Sequence, residues 1–213
     1  MVVYIILFFQ VYGTMKSHQN GECFQEGVSV QRIYKTKRLV LKILDKTFAE
    51  SVLDYYSRNK EFLKEWEPLR EEVFYTKEYH EKKLTEDLMS LVKGNLFRLW
   101  IFIKGKDNRT IGNVSFNNII RGAFLSCHLG YKLDKDEINK GYMTEAVQKG
   151  IDIVFYGLGL HRIESNIMPE NIRSLRVTEK LGFYNEGLAK QYLKINGKWE
   201  DHIHMVLLND INS

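Results

Sequence analysis

The chain has 213 residues, with 31 Lys+Arg against 27 Asp+Glu and a formal charge of +4; 44% of it is hydrophobic and 13% aromatic. High apolar content with a small net charge excludes intrinsic disorder, and Cys23 and Cys127 are too few and too far apart for a disulfide scaffold, which points to a reducing, cytoplasmic setting. The mild basicity suits an anionic partner but does not require a nucleic acid, because Lys and Arg are interleaved with acids along the chain.

Residues Met1 to Phe9 (MVVYIILFF) are continuously apolar. A spanning helix needs about 20 such residues, and the run stops at Gln10. No Lys or Arg precedes Lys16, as a signal peptide would want. We expect an extension ahead of a start at Met15, or an arm docked on the body, rather than membrane insertion. Lys16 to Gly27 reads as a flexible lead-in. Residues 1–30 are thus expected to be an N-terminal extension, and 31–213 a single domain.

Arg38 to Leu44 (RLVLKIL) alternates as a half-buried strand does. Asp45 to Tyr56 has a helical pattern, with Phe48, Val52, Tyr55 and Tyr56 on one side. Asn59 to Trp66 is a short helix ended by Pro68, which pushes Glu67 towards an extended conformation. Thr76 to Val92 is a charged amphipathic helix with Thr76 as its cap and Gly94 as its stop. Phe97 to Ile103, Thr110 to Ile119 and Ala123 to Leu133 then read as an antiparallel meander, turning at 106–109 and 121–122.

From Gly141 the period changes. Met143, Ala146, Val147, Gly150, Ile151, Val154 and Phe155 mark one face of a long helix. A strand, His161 to Met168, and a helix, Asn171 to Leu181, follow. Phe183 to Ile195 and Lys198 to Leu208 are strands joined by Asn196-Gly197, a tight-hairpin signal. The layout predicts an α/β (α+β) domain with a mixed, mostly antiparallel sheet of about seven strands.

The segment richest in chemistry is Tyr131 to Ala146, where Asn139-Lys140-Gly141-Tyr142-Met143-Thr144 opens the long helix. First-turn amides have no internal partner, the helix dipole is positive there, and a glycine admits an oxyanion closely. An ordinary loop-to-helix start would look the same. Neither a Walker A motif nor G-x-G-x-x-G is present, so nucleotide-hydrolase and Rossmann readings fail.

The segments CHLGYKL, NKGYMTEAV, HRIESNIMPENIRSLRVTEKLGF and EGLAKQYLKINGKWEDH, with TKRLVLKIL, EFLKEWEP and SFNNIIRG upstream, together resemble the GNAT N-acetyltransferases, in particular their RimJ/RimL-type, ribosomal-protein-alanine branch. The resemblance runs from about Thr36 to Leu208. It implies the GNAT fold, with central strands splayed into a slot for acetyl-CoA, the cosubstrate, and no metal. The family's Q/R-x-x-G-x-G/A pyrophosphate loop falls on Ile138 to Met143. Gly141 matches; Ile138 and Met143 depart from the pattern. Asn139, Lys140, Gly141, Tyr142, Met143 and Thr144 are the expected phosphate contacts, and Leu129, Tyr131 and Leu133 the expected pantetheine contacts. Asn171 and Ser174, as N-x-x-S, match positions that contact CoA, and in this branch the serine is proposed to protonate the departing thiolate. Helix capping is the plainer role for both.

An α-amine has a pKa of ~7.7–8.0, so positioning and a proton route suffice. Glu67, beside Trp66 and Pro68 at the edge of the expected acceptor groove, is the preferred base, although a solvated helix-end carboxylate looks no different. Asp201 is second. The acid that can occur about nineteen residues beyond the serine in RimL-like chains is replaced by Leu193. Trp66, Asn117 and Asn118 complete the expected acceptor residues, though asparagines on a strand also serve irregular backbone. His202 and His204 share a strand face, but no third ligand lies near in sequence, so packing is expected. Cys127 reads as a small buried hydrophobe.

The expected activity is acetyl transfer to a primary amine, with a protein N-terminal alanine first and an antibiotic or polyamine second, by a monomer or homodimer. A non-catalytic ribosome- or RNA-associated module of the same fold is the rival, motivated by the +4 charge and the two loop departures.

Overall fold

A computed structural model describes residues 22–25 and 28–209; the apolar run Met1 to Phe9 and the expected start at Met15 lie outside them. Part of the expected flexible lead-in is ordered as a hairpin: β1 (Glu22–Gln25) pairs antiparallel with β2 (Val28–Gln31).

The remaining strands form one eight-stranded sheet: β3 (Ile33–Lys35), β4 (Leu39–Lys42), β5 (Leu96–Ile103), β6 (Lys106–Ile120), β7 (Ser126–Leu133), β8 (Arg162–Ile167), β9 (Tyr184–Ile195) and β10 (Lys198–Leu208), in the order β3-β4-β5-β6-β7-β8-β10-β9. Every pairing is antiparallel except β7 with β8. The short strand β3, three residues with mixed exposure, is the one missed in the sequence.

β4 is not half-buried, as its alternation suggested: Leu39, Val40 and Leu41 are all buried. Leu39 and Leu41 pack into a core with α4 (Tyr142–Asp152). Val40 and Leu44 pack with Val52 and Tyr55 of α1 (Ala49–Arg58) and Leu84 of α3 (Lys77–Val92) into a second core. Helices therefore cover both faces of the sheet here, so both periods of the strand are apolar. The turn into β6 falls at Lys104-Gly105, not at 106–109, because Gly105 takes the left-handed φ of 78° that the reversal needs. Thr76 caps α3 as expected, its hydroxyl accepting from the Tyr79 N–H at 3.3 Å.

Two further helices frame the site. α2 (Lys60–Lys64) follows α1 directly, and α5 (Ile172–Lys180) follows β8. α4 packs so closely on the sheet that a Cβ at Gly150 would stand 2.7 Å from Cε2 of Phe116.

Candidate active site

The decisive feature of the sheet is where it stops being a sheet. β7 and β8 pair only at Ser126–Arg162, Cys127–Ile163 and His128–Glu164. Beyond His128 the two strands diverge, so the backbone groups of Leu129 to Leu133 that face β8 have no strand partner, apart from the Leu129 carbonyl, which accepts from Ser165 Oγ at 3.2 Å. α4 and α5 start beside the resulting wedge. The cleft there, of about 280 Å³, is lined by Tyr131 and Leu133 of β7, Asn139, Gly141, Met143 and Thr144 at the start of α4, and Asn171 and Ser174 at the start of α5. Trp66 forms part of its far wall. Of the sequence-expected contacts, Leu129, Lys140 and Tyr142 are not in this lining, and neither are Glu67, Asn117, Asn118 and Asp201.

The loop before α4 is shaped for an anion. Asn139 (φ 61°) and Gly141 (φ 75°) both take left-handed conformations, and no side chain caps the helix. The amides of its first turn are left facing outward with the positive end of the dipole. The loop is fixed from behind. The Arg38 guanidinium donates to the Lys140 carbonyl at 2.8 Å and to Glu145 at 2.7 Å, and lies over the Tyr142 ring. Glu145 also accepts from the Thr36 hydroxyl at 2.6 Å and the Arg38 N–H at 2.7 Å. Burial pushes the Glu145 carboxyl up, but these bonds outweigh it and hold it below its ordinary range.

Ser174 sits in the first turn of α5. Its N–H donates to Asn171 Oδ1 at 3.2 Å, so the capping role of Asn171 is realised, while the Asn171 amide nitrogen is left over for another acceptor. The Ser174 carbonyl accepts from the Tyr131 phenol at 2.8 Å. Burial pushes that phenol up and keeps it a donor. Arg173, Arg176 and Lys180 also line the cleft. The sequence reading missed these three, although their spacing along one side of a short helix is a readable basic stripe.

Glu67 lies at the edge of the groove, but its carboxylate is engaged. Lys132 of β7 and Arg70 (3.0 Å) both pair with it. Burial pushes its carboxyl up; Lys132 and Arg70, by attraction and hydrogen bonding, pull harder, and it ends below the ordinary carboxylate range. That weakens it as a base, and its evident work is to tie the segment after α2 to β7. Its carbonyl also accepts from the Asn196 N–H at 3.0 Å, fastening the tip of the β9–β10 hairpin.

Asp201, the second base candidate, accepts from the Gln191 N–H at 2.8 Å and pairs with Lys190 at 2.7 Å, holding an irregularity between β9 and β10. Asn117 donates to Ser115 Oγ at 3.1 Å, and Asn118 takes a left-handed φ of 50° where the β6–β7 register shifts. His202 and His204 pack against Tyr192. Cys127 is fully buried, and burial pushes its thiol up to about 12, which makes it inert as a nucleophile. Among the described residues no helix is long and apolar enough to cross a membrane.

Comparison with known proteins agrees with this geometry. The family Acetyltransferase (GNAT) domain matches residues 38–184. "Probable N-acetyltransferase YjcK" of Bacillus subtilis is 43% identical over 82% of this chain and 96% of its own length. "[Ribosomal protein uS5]-alanine N-acetyltransferase" of Escherichia coli is 36% identical over 79% of this chain and 86% of its own. The crystal structure of ribosomal-protein-S5-alanine acetyltransferase from Vibrio fischeri superposes with a TM-score of 0.80 at 35% identity, over 84% of this chain and 97% of that one.

Proposed function

The chain belongs to the GNAT acetyltransferases and moves an acetyl group from acetyl-CoA to an amine; on that premise, we propose that its acceptor is the N-terminal amine of a protein, with alanine as the first residue. The observation that carries the acceptor is the 36% identity, over most of both chains, with a relative named for alanine N-acetylation of ribosomal protein uS5. Two exposed apolar side chains agree: Trp199 (60% exposed) follows the β9–β10 turn, and Leu69 (65% exposed), in the segment that runs on from the cleft residue Trp66, packs at that turn, where its Cδ1 would lie 3.4 Å from a Cβ on Gly197. Exposed apolar side chains beside a cleft suit the residues that trail a peptide's first amine better than they suit a bare polycation.

The residues fit the cosubstrate. The uncapped amides at the start of α4 suit a diphosphate, Arg173, Arg176 and Lys180 add positive charge along the cleft, and the unpaired edge of β7 offers backbone donors and acceptors to an amide-bearing arm. Acetyl-CoA supplies the activated acyl group and a thiolate leaving group. A thiol has a pKa of ~8.5, so a weak donor nearby suffices. Ser174 has that place: it lines the cleft, while its own N–H and carbonyl are already occupied. Tyr131 and Asn171 orient it; Glu67, with Lys132 and Arg70, shapes the acceptor wall.

The test is a screen of synthetic peptides differing in their first residue, run beside spermidine and an aminoglycoside, with the products located by mass spectrometry. Acetylation of the α-amine of alanine-initial peptides is expected to dominate. Preferred turnover of either small amine would overturn the protein-acceptor reading.

A further inference from the structure

On the sheet face opposite α5, just past the point where β7 and β8 part, two buried polar atoms from adjacent strands have no hydrogen-bond partner among the described residues. They are Asn166 Oδ1 on β8 and His204 Nε2 on β10. The two residues are direct cross-strand partners, and Asn166 lies two positions beyond Glu164, the last residue of β8 that β7 pairs. His128 and Lys132 of β7 share this face, and Lys132 reaches Glu67 and the Tyr56 ring there, so it is the side that α1 and the segment after α2 enclose. A pantetheine arm laid along the open edge of β7 would bring its acetyl group to the parting of the strands, and on this face an amine would meet it from the side away from α5.

The third member is placed by a distortion. The β9–β10 register breaks between Glu200 and His202, Gln191 takes a left-handed φ of 48°, and Asp201 holds that backbone through the Gln191 N–H. A bulge of this kind re-aims the neighbouring side chain. Here it brings Tyr192 over the pair: the phenol oxygen accepts from Asn166 Nδ2 at 3.1 Å, and the ring stands edge-on to His204 with centroids 5.0 Å apart. Native folds seldom leave buried polar atoms unpaired unless a site uses them. Two acceptor atoms side by side, under a half-buried aromatic cover, match the two N–H bonds of a neutral primary amine.

We propose that Asn166 and His204 form the seat of the attacking amine, with Tyr192 as its cover and His204 as the proton acceptor. The amine nitrogen bonds to the acetyl carbon and the carbon–sulfur bond breaks. The sulfur takes a proton from Ser174, the nitrogen gives its surplus proton to His204 Nε2, and water returns a proton to Ser174 and removes one from His204. This rests on the acetyl-transfer reaction alone and not on which amine is accepted.

The test measures kcat, the KM for the amine and calorimetric affinity for acetyl-CoA in His204→Ala and in the near-isosteric His204→Gln. It uses an alanine-initial peptide and, in parallel, spermidine. Both variants are expected to lose ~100-fold in kcat, with acetyl-CoA affinity within about twofold, and added imidazole is expected to restore about tenfold in His204→Ala alone. Unchanged kcat in the Gln variant, or a loss in the Ala variant that imidazole does not relieve, would overturn the seat. If only spermidine turns over and the same pattern holds, the peptide reading fails and this one stands.

Discussion

The phenol of Tyr131, on β7, donates to the backbone carbonyl of Ser174, on α5, at 2.8 Å. A strand and the helix facing it across the cleft are thus joined at the residue whose hydroxyl is assigned to the leaving group. Two substitutions separate orientation from chemistry. Ser174→Ala removes the donor and leaves the backbone bond, so kcat should fall ~10²-fold while acetyl-CoA affinity stays within about twofold. Tyr131→Phe removes the side-chain bond that ties β7 to the start of α5, a cost of about 1 kcal/mol, and should weaken acetyl-CoA binding several-fold with a smaller effect on kcat. Calorimetry beside steady-state kinetics reads both.

Glu67→Gln should act on the fold before it acts on the chemistry. The change leaves Lys132 and Arg70 without their shared carboxylate, and we expect a loss of about 2 kcal/mol in denaturant unfolding. The amine KM should rise, with kcat within about tenfold of the parent. A drop in kcat of a thousandfold with intact stability would return Glu67 to the role of base.

Gly150→Ala sets two effects against each other. Alanine in a helix gains about 1 kcal/mol over glycine. The new methyl would meet the Phe116 ring at 2.7 and 2.9 Å, and Phe116 is fully buried and cannot retreat; overpacking costs about 1–3 kcal/mol. A net loss is expected, seen as a lower midpoint of thermal unfolding.

His80 gives the fold an acid-sensitive window. It is buried, stacked on Tyr56 at 5.3 Å, and burial pulls its imidazole down to about 4 from 6.5. The unfolded chain takes up a proton below 6.5 that the folded chain refuses until about 4. Stability is therefore full above 6.5 and falls as the pH drops towards 4, by about 3 kcal/mol in total. Glu67, Asp134 and Glu145, whose carboxyls are held below their ordinary values, lose their contributions only at lower pH. Urea titrations from pH 7 to 4 should show the slope in the parent and a flatter one in His80→Phe.

The long periodic segments were legible because each buries one face: α3 and the hairpin fall within a residue or two of where their patterns put them, and α4 starts where expected but gives way at Ile153 to a π-helical turn that carries Val154 and Phe155 to Gly157. The uncapped start of α4 was legible for a local reason, a glycine opening a helix. The engagement of Glu67 was not. Lys132 lies 65 positions away from it and alternates on its strand as any solvated lysine would. Asp201 and Tyr192 were hidden for a similar cause, since a bulge changes which way a side chain points without changing the composition around it. Val40 and Leu44 misled because a strand covered on both faces has no polar side to reveal it.

The parallel ladder between β7 and β8 is only three residue pairs long. The sheet is therefore two platforms sharing a short seam, one carrying α2 and the segment after it and the other the β9–β10 hairpin. A pantetheine arm laid along the open length would serve as a surrogate strand and splice the platforms together. Within Leu129 to Leu133, the amides that point at the wedge rather than at β6 would exchange with deuterium quickly in the empty enzyme and slowly once the thioester is in place, so catalytic competence and stiffening of the scaffold would arrive in a single event.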